Sequence, residues 1–239
     1  MTEKACSFCQ PKVTEFKHFE RYGKDRIDLA VLWKSDNVIV KPDLLPASPD
    51  GFHFLMIPKP HKLAFAQNPD LESEVGHLLY RIEQEMGEPL VFAEHGGGSP
   101  ELGYGETKNM SVYHQHAHLF PARGDILSYM SDALIQREGL NHKWWIDNDA
   151  NPISEIAKLY NGHPYLYFQV GNRGLWIEDS GDTMPSQVTQ RNMSRYFGQE
   201  VNWKRIREDD EMAKLSVERI VSALELCKHP DAHSATRTY

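Results

Sequence analysis

The stretch Ser111-Val112-Tyr113-His114-Gln115-His116-Ala117-His118-Leu119-Phe120-Pro121 is the most informative part of the chain. Residues two apart on a β-strand point to the same side, so a strand here places His114, His116 and His118 on one face. Three aligned imidazoles can form a metal triad, a nucleophile with supporting donors, or the polar face of an ordinary strand. The alternation alone leaves all three open. Catalysis is chemically natural, because a neutral imidazole attacks phosphorus and titrates near neutral pH.

The first half of the chain reads as short strands and one helix around this stretch. β-Rich runs bounded by turn residues predict five strands, at 26–33, 38–41, 52–57, 89–94 and 111–120. Asn68-Pro69-Asp70 starts a predicted helix, with Asn68 as its N-cap, and apolar residues at helical spacing continue to Gly87. Five strands and a helix predict an α+β fold.

The sequence changes character from Gly124 onward. Helical patterns at 186–197 and 209–226 accompany one predicted hairpin, 164–170 with 174–178, around Gly171-Asn172-Arg173-Gly174. We therefore expect two parts, a domain over 1–123 and a mostly helical extension over 124–239 that packs on the same domain.

Composition excludes several classes of protein. The 239 residues are 40% hydrophobic and 25% charged, with a formal net charge of −8, and the charges are interspersed. A broad nucleic-acid-binding face is therefore not expected. No stretch approaches the roughly 20 apolar residues of a membrane span, and the start MTEKACSFCQ lacks the apolar core of a signal peptide. We expect a cytoplasmic protein with no membrane partner.

Cys6-Ser7-Phe8-Cys9 is the second motif in the chain. Two thiolates on one tight turn suit tetrahedral zinc, but such a site needs two further ligands. Free thiols or a redox pair are the alternatives, although the redox motif normally opens a helix after a strand. By itself the pair is half of a metal site.

Taken together, these segments resemble the histidine triad (HIT) superfamily of nucleotide hydrolases and transferases. The resemblance rests on 114–120, on Asp43-Leu44-Leu45-Pro46 followed by 51–61, and on the Cys6/Cys9 pair, in that family's order and spacing. It covers about residues 5 to 123. It implies a five-stranded antiparallel sheet with packed helices, and a HIT-like catalytic domain over 1–123.

The resemblance implies a role for each histidine of the signature. His116 would attack the α-phosphorus of a bound nucleotide and form a covalent nucleotidyl-histidine, with its other ring nitrogen donating to a backbone carbonyl. His118 and the hydroxyl of Ser111 would bind phosphate oxygens or assist the leaving group.

Further positions of the family are implied to bind the nucleotide. Asp43 would accept hydrogen bonds from the ribose hydroxyls, and His53 would lie beside the phosphate. Many relatives have a Gly-Gln pair where this chain has Asn109-Met110, so Asn109 would contact the substrate in its own way. The segment Glu94-His95-Gly96 either borders the leaving-group pocket or forms a plain connection.

The resemblance also implies a structural zinc ion bound by Cys6, Cys9, His61 and His114, with no open coordination position. It further implies a homodimer. The transferase branches generally carry glutamine at the third triad position, so His118 favours hydrolysis, with dinucleoside polyphosphates, nucleoside phosphoramidates or other AMP-linked compounds as substrates. The alternatives are a nucleotidyltransferase, a nucleotide-binding module with little turnover, and an RNA-end-processing enzyme, which would need a basic groove.

Overall fold

The computed structural model describes residues 8, 33–43, 46–104, 114–140, 151–179, 184–185 and 187–199, and the backbone of 143–147. Within these residues the centre of the fold is one eight-stranded sheet, in the order β1-β2-β3-β5-β4-β7-β8-β6, with every neighbouring pair antiparallel. The strands are β1 (Trp33–Lys34), β2 (Val38–Pro42), β3 (Phe54–Pro58), β4 (Leu90–Gly96), β5 (Ala117–Pro121), β6 (Lys143–Asp147), β7 (Tyr165–Val170) and β8 (Arg173–Glu178).

Four α-helices accompany the sheet in the described part of the chain: α1 (Glu72–Met86), α2 (Ile126–Glu138), α3 (Pro152–Leu159) and α4 (Val188–Tyr196). Short 3₁₀ helices occupy Phe65–Gln67, Pro69–Leu71 and Pro100–Leu102. None of the helices in these residues is long and apolar enough to cross a membrane.

The predicted α+β class and antiparallel sheet are confirmed, but the prediction of five strands is wrong. The second half of the chain contributes β6, β7 and β8 to the same sheet, because β7 pairs with β4 along an edge that would otherwise expose unpaired backbone groups. The described part of the extension therefore contains three strands as well as three helices. Its hairpin is confirmed as β7 and β8. The boundary at residue 123 stays a prediction, and the predicted helix 209–226 lies outside the described residues.

Helix α1 forms where its sequence pattern predicts it. Its apolar positions face the sheet, and it ends at Gly87, which adopts the left-handed conformation with φ 67°. The helix starts later than expected, since a 3₁₀ turn precedes it. The side chain of Asn68 caps neither of the two, so the predicted N-cap role of this residue is wrong.

Alternation along the strands gives the sheet two differently covered faces. Helices α1 and α3 cover one face through a continuous apolar core that includes Val75, Ile82, Ile153, Phe54, Phe92, Leu119 and Tyr165. Helices α2 and α4 cover β4, β7 and β8 on the opposite face through a core that includes Leu127, Met193, Val91, Phe120, Leu166 and Ile177. On that second face, Phe8 covers Leu55 and Ile57 of β3. The ring of Phe8 also contacts the rings of His114 and His116.

One acidic residue is buried on the α1 side of the sheet. Glu94 of β4 is 0% exposed; its Oε1 accepts from the backbone N–H of Phe65 at 2.7 Å and its Oε2 from the hydroxyl of Tyr165 at 2.7 Å. Burial raises its pKa to about 8, although both hydrogen bonds oppose the rise. The folded protein therefore holds this carboxyl protonated at neutral pH.

The first prediction concerns the pH dependence of stability. Because the pKa of Glu94 is higher in the folded protein than its ordinary value of 4.5, the folded state binds the extra proton and stability falls as pH rises towards 8. Between pH 6 and pH 9 this group should remove about 3 kcal/mol from the free energy of unfolding. The variant Glu94→Gln should lose that dependence in urea melts, whereas Glu72→Gln, at an exposed site, should keep it. Equal pH slopes in both variants would contradict the assignment.

Candidate active site

Strand register brings polar side chains of three adjacent strands onto the second face of the sheet. His118 of β5 lies opposite Ala93 of β4. His53, the residue before β3, stacks on Phe120 of β5 with ring centroids 4.2 Å apart. The backbone N–H of Asp43, just after β2, donates to the His53 carbonyl at 2.8 Å. Asp43, His53 and His118 therefore form one cluster.

His116 lies immediately before β5, next to this cluster. Its Nδ1 is 2.9 Å from the backbone carbonyl of His114, which can only accept, so Nδ1 carries the proton. The hydrogen bond to a backbone carbonyl expected from the resemblance is present. The ring lies 5.1 Å from that of His118 and 5.2 Å from that of Phe8. In the neutral ring, Nε2 carries the lone pair and can attack an electrophile.

A chain of hydrogen bonds assigns the protons of the other two histidines. The backbone N–H of Ala47 donates to Nδ1 of His53 at 3.3 Å, so the proton of His53 is on Nε2. That Nε2 lies 2.9 Å from Nδ1 of His118, which accepts, leaving the proton of His118 on its own Nε2. Burial, followed by the neighbouring His53, His116 and His95, lowers the pKa of His118 well below 6.5. His118 is therefore neutral and offers an N–H donor.

Asp43 joins this chain through its carboxylate and extends it to α4. Its Oδ2 lies 3.6 Å from Nε2 of His53 and 3.9 Å from Nδ1 of His118. Its Oδ1 accepts from the side-chain amide of Gln190 at 3.5 Å. The second half of the chain thus supplies a residue to the site. Sequence reasoning missed Gln190, since a contact across 147 positions leaves no local signal.

His114 lies apart from His116 and His118. The prediction of one strand through all three histidines is wrong in its described part, because β5 begins at Ala117. The Nε2–H of His114 donates to the carbonyl of Pro58 at 2.6 Å, and the backbone N–H of Gln115 donates to the Lys62 carbonyl at 2.7 Å. These two bonds hold the residues before β5 against the end of β3 and the segment that follows it.

His61 and His114 are arranged as two ligands of one metal ion. Their Nδ1 atoms are 3.2 Å apart, close to the separation of about 3.3 Å that two nitrogens have on tetrahedral zinc. Burial is the main cause that lowers the pKa of His114, which favours the neutral, ligating form. Cys6 and Cys9 lie outside the described residues. Phe8, between them in sequence, is buried with its ring 5.9 Å from that of His114.

The Asp43, His53 and His118 cluster is a second group of potential metal ligands, with ligand atoms within 4.8 Å of one another. Its two nitrogens are 2.9 Å apart, which fits a hydrogen bond better than the separation of about 3.3 Å around tetrahedral zinc. We therefore treat this cluster as a proton chain, and the His61 and His114 pair as the metal-binding candidate.

A fourth histidine lies beside His116. Burial, followed by the neighbouring His116, lowers the pKa of His95 to about 4, although the carboxylate of Asp179 opposes the fall. Asp179 follows β8 and is 3% exposed. The sequence analysis included His95 only as part of the segment Glu94-His95-Gly96 and assigned it no role of its own. Successive side chains of a strand point to opposite faces, so the sequence could have shown that His95 and the buried Glu94 lie on opposite faces of β4. Ser111 and Asn109, predicted for the site, lie outside the described residues.

Comparison with known proteins finds likeness at the level of solved structures. No family model matches the chain, and no curated protein matches it. A HIT family hydrolase from Legionella pneumophila is 26% identical, with a TM-score of 0.29, over 50% of this chain and 94% of its own. A zinc-bound histidine triad family protein from Mycobacterium smegmatis is 18% identical, with a TM-score of 0.33, over 52% and 79%. Yeast Ap4A phosphorylase Apa2 is 10% identical, with a TM-score of 0.40, over 80% and 75%.

Proposed function

We propose that this chain is a HIT-superfamily nucleotide hydrolase, which cleaves a phosphoanhydride or phosphoramidate bond at the α-phosphate through a covalent intermediate on His116. One observation carries the proposal above the others. The hydrogen bond from Nδ1 of His116 to the His114 carbonyl fixes the tautomer that presents a lone pair on Nε2. Beside it stands the neutral His118, whose proton is held on Nε2 by the bond from His53.

The reaction proceeds in two displacements. The lone pair of Nε2 attacks the α-phosphorus, and the bond from phosphorus to the leaving group breaks. A polyphosphate departs as an anion with the electron pair, whereas an amine also takes up a proton from solvent. Water then attacks the same phosphorus and its proton passes to solvent, while the electron pair of the P–N bond returns to Nε2. Because Nδ1 stays protonated throughout, His116 ends in the tautomer in which it began.

The neighbouring side chains stabilise the charge that develops on phosphate. The Nε2–H of His118 donates to a phosphate oxygen, and the hydroxyl of Ser111 assists there. Asp43 accepts from the ribose hydroxyls, and Asn109 contacts the substrate. His53 acts through His118, because its hydrogen bond sets the tautomer of that ring.

Zinc fits the residues on the other side of His114. His61 and His114 present Nδ1 atoms at a ligand separation, and the Nε2–H bond to Pro58 orients His114 as an outer partner orients a metal-bound histidine. Cys6 and Cys9 complete a Cys₂His₂ set, which is closed to substrate and therefore structural. A zinc ion bound by these residues would stabilise the fold next to His114. A homodimer remains part of the proposal.

The second prediction tests the nucleophile. Replacing His116 with glycine should lower release of AMP from a dinucleoside polyphosphate by at least about 10³-fold, because only the attacking nitrogen is removed. Nucleotide binding and the thermal midpoint should change little. His77→Asn, which alters an exposed histidine on α1, is the control and should keep wild-type turnover. Turnover near wild type in His116→Gly would exclude the mechanism.

The third prediction tests the metal. Purified protein should contain about one zinc ion per chain by elemental analysis, and Cys9→Ser should lose it together with several kcal/mol of stability. Cys227→Ser removes the third cysteine and should keep the metal. Zinc-free protein with Cys6 and Cys9 fully reactive to thiol reagents under native conditions would contradict the assignment.

A further inference from the structure

His95 lies near the end of β4, close enough to the nucleophile to interact with it electrostatically. The last pair of the β4–β5 ladder is Glu94 with Ala117, and His95 and His116 are the next residues of the two chains beyond it. Residues two apart on a strand share a face, so His95 lies on the same face as Ala93, the partner of His118. On the other side of β4, His95 pairs with Leu166, whose side chain belongs to the core under α2 and α4. His95 therefore lies on the face of the sheet that carries His118.

The surroundings of His95 suit a group that gains and loses a proton. His118 of β5 and His116, just before that strand, interact with it electrostatically, as does the carboxylate of Asp179, just after β8. Asp179 is fixed, since its Oδ2 accepts from the backbone N–H of Met184 at 2.6 Å. A held carboxylate stabilises an imidazolium next to it.

The other ring nitrogens at the site already have defined roles. In the intermediate, Nε2 of His116 is bonded to phosphorus. Nδ1 of His118 accepts from His53, and Nδ1 of His53 accepts from Ala47. Among the described residues, no hydrogen bond engages either ring nitrogen of His95. A neutral imidazole has one nitrogen that accepts and one that donates, so His95 can take a hydrogen bond from a water or a ligand in the site.

We propose that His95 is the general base that deprotonates the water that hydrolyses the nucleotidyl-His116 intermediate. This inference rests on the proposed function. The water oxygen bonds to phosphorus while its proton moves to the lone pair of His95. The P–Nε2 bond breaks, and its electron pair returns to His116. The resulting imidazolium of His95 is stabilised by Asp179 and releases its proton to solvent.

This role explains why water can accept the nucleotidyl group from His116 in this site. Departure of a polyphosphate anion needs no proton, so the first displacement does not call on His95. Water is a poor nucleophile until it loses a proton, so the second displacement does. An anionic acceptor such as azide arrives without a proton and bypasses the base. Asp43 is the alternative candidate for the base, since its carboxylate also belongs to the site, with Oδ2 3.9 Å from Nδ1 of His118.

The experiment separates formation of the intermediate from its decay. Excess enzyme is mixed with a dinucleoside polyphosphate labelled at the α-phosphate, quenched at intervals, and assayed for label on protein. In His95→Asn and His95→Gln, labelling should stay within about threefold of wild type, whereas loss of label should slow by about 10²–10⁴-fold. Azide should accelerate that loss in both variants, with the azide adduct of the nucleotide as product. His77→Asn is the control and should match wild type in both steps.

Several outcomes would overturn the proposal. Decay at the wild-type rate in the His95 variants, equal slowing of both steps, or no acceleration by azide would each exclude a base role. Slow decay in Asp43→Asn with fast decay in His95→Asn would transfer the role to Asp43. If wild-type protein never carries label while the substrate is hydrolysed, the proposed covalent mechanism is wrong, and the inference falls with it. A variant that misfolds is recognised by its failure to take up label at all, whereas the proposal requires labelling within about threefold of wild type before azide is added.

Discussion

The pairing of β4 with β5 is the interaction on which the site depends. Its register sets His118 opposite Ala93 and ends at Glu94 and Ala117, with His95 and His116 as the next residues of the two chains. A shift of one residue would turn each of these side chains to the other face of the sheet. The backbone bonds that fix this register lie in the middle of the eight-stranded sheet, with β3 beyond β5 and β7 beyond β4. The histidines are therefore held by a rigid scaffold.

The same alternation separates two acid–base groups that are neighbours in sequence. Glu94 faces α1, where Phe65 and Tyr165 hold it as a buried, protonated acid. His95 faces the site, where burial and His116 keep it neutral. One residue stabilises the core and the next is available for chemistry. Their roles differ because the two faces of β4 differ in what covers them.

How much the sequence predicts depends on the range of the interaction. Helix α1 and the β7–β8 hairpin follow from local periodicity and turn residues, and both are present. The pairing of His61 with His114 was implied by family resemblance, and their Nδ1 atoms do meet. Gln190 could not be predicted, because its contact with Asp43 depends on how α4 packs on the finished sheet. The prediction of a five-stranded sheet was wrong for the same reason, because the pairing of β7 with β4 is a long-range contact that no local sequence pattern indicates.

The stereochemistry of the reaction tests the central claim most directly. The claim is that the nucleotidyl group forms a covalent bond with Nε2 of His116 before it is transferred to water. A substrate with a stereodefined α-phosphorothioate, hydrolysed in isotopically labelled water, should give product with net retention, because two in-line displacements invert the centre twice. Net inversion would mean one direct attack by water, and would contradict the account.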